Sequence, residues 1–110
     1  MTGSMLRILI VGGDVMPVEM LPIWQRLPLS QTVRLFNVYR PTETTVSAAA
    51  FAVPLDFSGL RIPIGRPLPN TCIYVLDGDG QPVPIGVEGE IHIGGVGVAR
   101  CYLNRPELTA

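Results

Sequence analysis

The sequence predicts an α/β fragment in two unlike parts: a β-α-β unit of a parallel sheet, then an antiparallel β meander or partial barrel. Three observations carry this. Residues 6–11 are apolar apart from Arg7, and the run stops at Gly12-Gly13-Asp14, as a buried parallel strand does. Val18, Leu21 and Trp24 then recur at helical spacing. Beyond residue 57, prolines at 63, 67, 69, 82 and 84 break the chain into short pieces and leave no room for a long helix.

Taken in order, the first strand covers residues 6–11, rich in Leu, Ile and Val. A helix is expected over 17–26, with Pro17 near its start, where a missing N–H is harmless, and Pro22 as a kink or shortening point. Residues 33–39 form the second strand, parallel to the first through a right-handed crossover. The stretch 42–53 is compatible with turn, helix or strand and is best read as a loop entering a strand. In the second part, residues 72–76 and 89–93 alternate as strands, with the turn formers Asp77-Gly78 between them. Asn104-Arg105-Pro106-Glu107 carries the cap residue, early proline and early acid of a helix start, and the expectation is that Ala110 truncates that helix.

Composition narrows the function. The 110 residues are 47% hydrophobic and only 15% charged, so exposed apolar patches are expected, as in a piece of a larger protein. Eight arginines, no lysine and a net charge of -1 give no basic face for nucleic acid. The same absence removes a P-loop lysine and any Schiff-base nucleophile. No run is long enough to span a membrane, and the first five residues lack the order of a signal peptide. Cys72 and Cys101 are expected as free thiols in a reducing cytoplasm.

Asn37-Val38-Tyr39-Arg40-Pro41-Thr42-Glu43-Thr44-Thr45 gathers chemistry where the second strand runs out, the place where open α/β sheets bind ligands. Tyr39 can stack on a base, Asn37 can meet a base edge, and Glu43 can give an oxygen to Mg²⁺. The same residues equally make a Pro-Thr-Glu turn that caps a helix, with Tyr39 in the core. Other candidates are weaker. Asp77-Gly78-Asp79-Gly80 opens like a calcium loop, but Gln81-Pro82 breaks the spacing, which leaves a hairpin turn. Gly94-Gly95-Val96-Gly97 lacks the third glycine of a dinucleotide fingerprint. His92 alternates with Ile91 and Ile93 and reads as a lone solvated histidine.

Residues 37–45 resemble the N-x-Y-G-P-T-E-x-T signature of adenylate-forming enzymes, specifically the amino-acid-activating (adenylation) domains of nonribosomal peptide synthetases. Residues 89–103 are similar to that family's G-E-L-x-I-x-G-x-G-x-A-R-G-Y-L motif, and Ile64-Gly65-Arg66-Pro67, Asn70-Thr71, Tyr74-Val75-Leu76-Asp77 and residues 104–110 also fit. The likeness runs from Leu6 onward. It makes residues 1–5 a leader outside the family, 6–56 the α/β part and 57–110 the β-rich part of an adenylation core.

The resemblance implies roles. Tyr39 stacks on adenine and Asn37 meets its amino edge. Gly12, Gly13 and Asp14 form the loop beside adenine. Thr42 lies by the phosphates and Glu43 helps hold Mg²⁺, which makes these two the catalytic pair. Ile10, Gly12, Val38, Val46 and Ser47 line the amino-acid pocket, an uncharged wall that favours an apolar substrate. The parent reaction joins an amino acid to ATP, giving aminoacyl-AMP and pyrophosphate. The product is then loaded onto the phosphopantetheine thiol of a partner carrier domain. A segment of an acyl-CoA or aryl ligase of the same superfamily is the related alternative.

Two positions depart from the signature. Arg40 replaces a glycine, with its side chain turned to solvent, reaching a phosphate, or blocking the pocket. Cys101 replaces another glycine and reads as a buried, inert cysteine. The family's phosphate loop, its lysine and its Y-x-T-G-D motif are absent, so the chain alone is expected to be non-catalytic, with at most weak nucleotide binding.

Overall fold

In a computed structural model the described residues are 5–109. The expected leader lies outside them except for Met5, as does Ala110. Strand β1, Ile8–Gly12, pairs in parallel with β2, Arg34–Tyr39, in a register from Ile8↔Arg34 to Gly12↔Val38. Helix α1, Met20–Arg26, lies between them in sequence and completes the β-α-β unit.

The helix starts three residues later than expected. The Met20 and Leu21 N–H groups bond back to Pro17 and Val18 carbonyls at 3.2 and 3.1 Å, which closes a tight turn before α1. Pro22 becomes the third helical residue, inside the first turn, where its absent N–H leaves no ladder bond unmade. Leu27 ends the helix in an extended conformation, ψ 134°, as a residue before proline does. Pro28–Gln31 then form a 3₁₀ turn, which the sequence did not suggest.

Residues 42–53 resolve into a 3₁₀ turn, Thr42–Thr44, a short loop, and strand β3, Ala49–Val53, antiparallel to β2. A two-residue strand β4, Arg66–Pro67, pairs antiparallel with β3 and completes a mixed sheet of order β1-β2-β3-β4. Gly65, φ +87°, makes that pairing possible, because a side chain there would overlap the Ala50 backbone. The second part holds a separate antiparallel pair, β5 Thr71–Leu76 with β6 Glu90–Gly95. Asp77 Oδ1 accepts the N–H groups of Asp79 and Gln81, both at 2.9 Å, so the calcium-like stretch is a hairpin turn. Helix α2, Pro106–Thr109, is a single turn.

Leu21, Val33, Leu35, Val38, Ala48 and Ala49 are the buried apolar residues, all in the first part. Along β1 the period-two alternation leaves one face open, with Ile8 and Ile10 47% and 60% exposed, while Val38 on the same face of β2 is buried. The accessible surface is 8733 Å², where a self-contained globule of this mass shows about 6,000 Å². The radius of gyration is 17.1 Å, against about 13 Å for a compact chain of this length. Cys72 and Cys101 are free and exposed. The expectation that Cys101 is buried fails: Cys101 is exposed, at the border of a hollow that it shares with Thr42, Glu43 and Tyr102. Cys101 is not among the residues with positive φ, so its side chain needs no left-handed backbone. Among the described residues no helix is long and apolar enough to cross a membrane.

Candidate functional site

Because Gly12 and Val38 are register partners, β1 and β2 end at one level. The residues that follow, Gly13-Asp14 and Tyr39-Arg40, are thereby delivered to the same edge, beyond the carboxyl ends of the parallel pair. A cavity of about 390 Å³ opens there, and Gly13, Asp14, Asn37 and Tyr39 all line it. The sequence-derived nucleotide residues are thus brought together, with Gly12 at the end of β1 just before them. Ile62 and Ile64 form a further wall that the sequence reading missed. Their placement is tertiary: Asn37 Nδ2 donates to the Pro63 carbonyl at 2.8 Å and ties residues 62–64 to β2.

That bond also fixes the amide. A carbonyl only accepts, so the Asn37 group facing Pro63 must be the NH₂, and Oδ1 is left as an acceptor. Asn37 is 5% exposed, so the orientation is set in a nearly water-free place. Tyr39 is half-buried at the cavity and does not lie in the core. Asp14 Oδ1 accepts the Val15 N–H at 2.7 Å, which shapes the turn after Gly13.

The expected amino-acid wall divides. Ile10, Gly12 and Val38 share one face of the sheet through the β1–β2 register. Val38 is buried and lines the cavity, whereas Ile10 is mostly exposed on the open face. Val46 and Ser47 sit in a bend where Thr45 and Val46 have φ of 53° and 76°, unusual for β-branched residues. Neither Val46 nor Ser47 lines the cavity.

Thr42 and Glu43, in the 3₁₀ turn, border a second hollow of about 370 Å³ with Arg100, Cys101 and Tyr102. Pro41 lines the first hollow and Thr42 the second, so the two are adjacent along the chain. The Tyr102 hydroxyl donates to Glu43 Oε1. This bond holds the Glu43 carboxyl below the usual carboxylate range and raises the Tyr102 phenol above its ordinary value. The Glu43 carbonyl accepts the Ala99 N–H at 2.7 Å, and Thr45 Oγ1 donates to the Gly97 carbonyl at 2.6 Å. Three bonds therefore join the signature turn to residues 97–102. Tyr102 as the partner of Glu43 has no local signal in the sequence, since 59 positions separate them. Among the described residues no group of three or more His, Cys, Asp or Glu is placed to hold a metal, so Glu43 offers one carboxylate and no cage.

The cavity lies beyond the carboxyl ends of the parallel strands β1 and β2, the place where open α/β sheets bind their ligands. The chain belongs to the AMP-binding enzyme family, which it matches over residues 1–103, and corresponds to part of a nonribosomal-peptide-synthetase adenylation domain. That match begins within the stretch read as a leader. The dimodular nonribosomal peptide synthase of Bacillus subtilis is 49% identical over 105 residues, covering 96% of this chain and 4% of the relative. Malpinin synthetase of Mortierella alpina is 48% identical over 102 residues, covering 93% and 1%. Among solved structures, a four-domain nonribosomal peptide synthetase bound to AMP and glycine superposes with a TM-score of 0.75 at 40% identity, over 92% of this chain and 7% of that one. A nonribosomal peptide synthetase in its α-methyl-L-serine-AMP-bound form gives 0.82 at 31% identity, over 96% and 12%. The chain thus spans a small fraction of each relative's length.

Proposed function

We propose that this chain supplies the adenine-facing wall of an ATP-dependent amino-acid-activating site. The complete domain joins an amino acid to ATP, releases pyrophosphate, and passes the aminoacyl group to the phosphopantetheine thiol of a carrier domain, in the cytoplasm. The observation that carries the reading is the Asn37 amide, held by Pro63 with its oxygen left to accept, beside the Tyr39 ring and the Gly13-Asp14 turn. An acceptor next to an aromatic face suits adenine, whose exocyclic amine donates and whose ring stacks.

In this reading Asn37 and Tyr39 bind and orient the base, and Gly12-Gly13-Asp14 close the site beside it. Thr42 offers a hydroxyl to the phosphates. Glu43 gives one oxygen to Mg²⁺, whose remaining ligands are phosphate oxygens and water, the usual arrangement for this ion. Ile10, Gly12, Val38, Val46 and Ser47 belong to the amino-acid side. By itself the chain presents one open wall, so it is expected to show no ATP–pyrophosphate exchange above background.

The test is the nucleotide dependence of exchange in the complete adenylation domain carrying this chain. Tyr39→Ala should raise the KM for ATP by roughly 10- to 100-fold, the worth of one stacked base. Tyr39→Phe should stay within about threefold of wild type, because stacking uses the ring face. Loss that fell on the amino-acid KM, with the ATP KM unchanged, would remove Tyr39 from the adenine site.

A further inference from the structure

Arg40 lies at the C-terminal end of β2, and its aliphatic stem crosses the backbone of Gly12 at the end of β1. A side-chain carbon built on Gly12 would sit 2.7 Å from Arg40 Cδ and 3.3 Å from Cγ, so the stem occupies the space the missing side chain leaves. The fit is mutual: glycine at 12 admits the stem, and the stem covers glycine. Its methylenes therefore lie against the strand ends in a manner common for long cationic side chains.

The guanidinium is not consumed within the protein. Among the described residues the ion pairs join His92 to Glu90 and Arg105 to Glu107, and Arg40 enters neither these nor any hydrogen bond. Its cation–π counterpart in β2 is Arg34, over Phe36 at 5.0 Å, so Arg40 has no ring partner either. Arg40 nevertheless lines the same cavity as Asn37 and Tyr39, along with Met16, Ile62 and Ile64. The carboxylate on that lining, Asp14, accepts its neighbour's N–H and makes no pair with Arg40. Arg40 is exposed, so water solvates its guanidinium at the mouth of a largely apolar hollow, and its five donors stay available to a ligand there.

We infer that Arg40 is a substrate-binding residue that holds an oxyanion in the cavity through charge-assisted hydrogen bonds. This rests on the amino-acid-activating reading. It deepens that reading by assigning an anion-recognition role to a position that otherwise carries no side chain in the signature it resembles. Carboxylate and phosphate share the chemistry a guanidinium reads, and both occur on the substrates of an adenylating site.

The experiment is steady-state exchange in the complete adenylation domain carrying this chain, comparing wild type with Arg40→Gln and Arg40→Lys. Gln keeps much of the stem and removes the charge; Lys keeps the charge and loses the fork. Each arm reads one source of the oxyanion. If it is a substrate side-chain carboxylate, the preference for aspartate over asparagine or glutamate over glutamine falls about 10- to 100-fold in Arg40→Gln. If it is a nucleotide phosphate, the KM for ATP rises by a similar factor while the acid-to-amide ratio holds. If it is the α-carboxylate, kcat/KM falls alike for every amino acid. In each case Arg40→Lys recovers part of the loss, which a packing role for the stem would not predict. A domain that exchanges with some amino acid but stays within twofold of wild type in all three readings overturns the inference and leaves the activity standing. A domain that adenylates no amino acid overturns the activity, and the inference with it.

Discussion

The four-stranded sheet and the β5–β6 hairpin are built from similar residues and held in different ways. Every buried residue among those described lies between Leu21 and Ala49, inside or beside the sheet; none lies in the hairpin or after it. In the sheet, β2 is flanked on both edges, by β1 and β3, so its backbone and the side chains at its end are fixed from two sides. The hairpin has its own ladder and a short return of residues 82–83 onto β5, and its Ile91, Tyr74 and Val75 are all exposed. The difference teaches where precision resides. Asn37 and Tyr39 are placed by the sheet, whereas residues 97–102 reach the signature segment through three hydrogen bonds across a loop, two to Glu43 and one from Thr45.

The largest effect expected from this contrast is on association. The open face carrying Ile8 and Ile10, with the free edge of β1, is a template for pairing and apolar contact. The 110-residue chain should sediment as oligomers at micromolar concentration, and Ile8→Lys should shift it toward monomer. A clean wild-type monomer with cooperative melting would show that the sheet is self-sufficient and break the comparison at its stronger end.

Next in size is the asymmetry of truncations. Leu35 is 4% exposed in the central strand, and Leu35→Ala should cost about 2–5 kcal/mol. Tyr74 is 53% exposed on β5, and Tyr74→Ala should cost at most about 1 kcal/mol, the scale of one cross-strand pair. Urea unfolding at one fixed low protein concentration reads both. Equal losses would mean that the hairpin carries a core of its own.

The same contrast explains what was legible in the sequence. Strands β1 and β2 follow from apolar runs and their stops, and the place of the cavity follows from Gly12-Gly13-Asp14 and the residues after Val38, whereas β3 was only the favoured one of three readings of residues 42–53. Local periodicity and turn chemistry suffice for these. Strand β4 was not legible, because two residues, Arg66 and Pro67, carry no period, and their pairing depends on Gly65 passing close to Ala50. The start of α1 was misplaced because Pro17 and Val18 fit a helix by spacing but take a tight turn. Asn37–Pro63 and Glu43–Tyr102 are contacts across 26 and 59 positions, and pattern reading at helix or strand period does not reach that far. Side-chain chemistry at the strand end put Asn37 and Glu43 forward, the resemblance implied their roles, and only the tertiary structure supplied what holds them.

The smallest effect concerns the tether between the two regions and its pH window. Glu43 has its carboxyl pKa lowered by the Tyr102 hydroxyl, so folding favours the carboxylate. A depressed carboxyl contributes stability above its ordinary pKa and loses it as pH falls through the folded value. Tyr102 has its phenol pKa raised by the same bond, so folding favours the protonated phenol. That contribution is present below the ordinary phenol value and is lost as pH rises through the raised one. The tether is therefore whole at neutral pH and weakens at both extremes: at the acid end by protonating Glu43, at the alkaline end by ionising Tyr102. Both groups are solvent-exposed, so the effect is local and modest. The Ala99 amide, bonded to the Glu43 carbonyl at 2.7 Å, is the reporter. Corrected for intrinsic rate, its hydrogen exchange should be slowest near neutrality and faster toward either extreme, and Tyr102→Phe should flatten the profile at its faster level. Amides of β2 should show no such dependence over the same range. An Ala99 profile unchanged by Tyr102→Phe would mean that the two regions are joined by backbone and threonine contacts alone, with the Tyr102–Glu43 bond contributing nothing to their coupling.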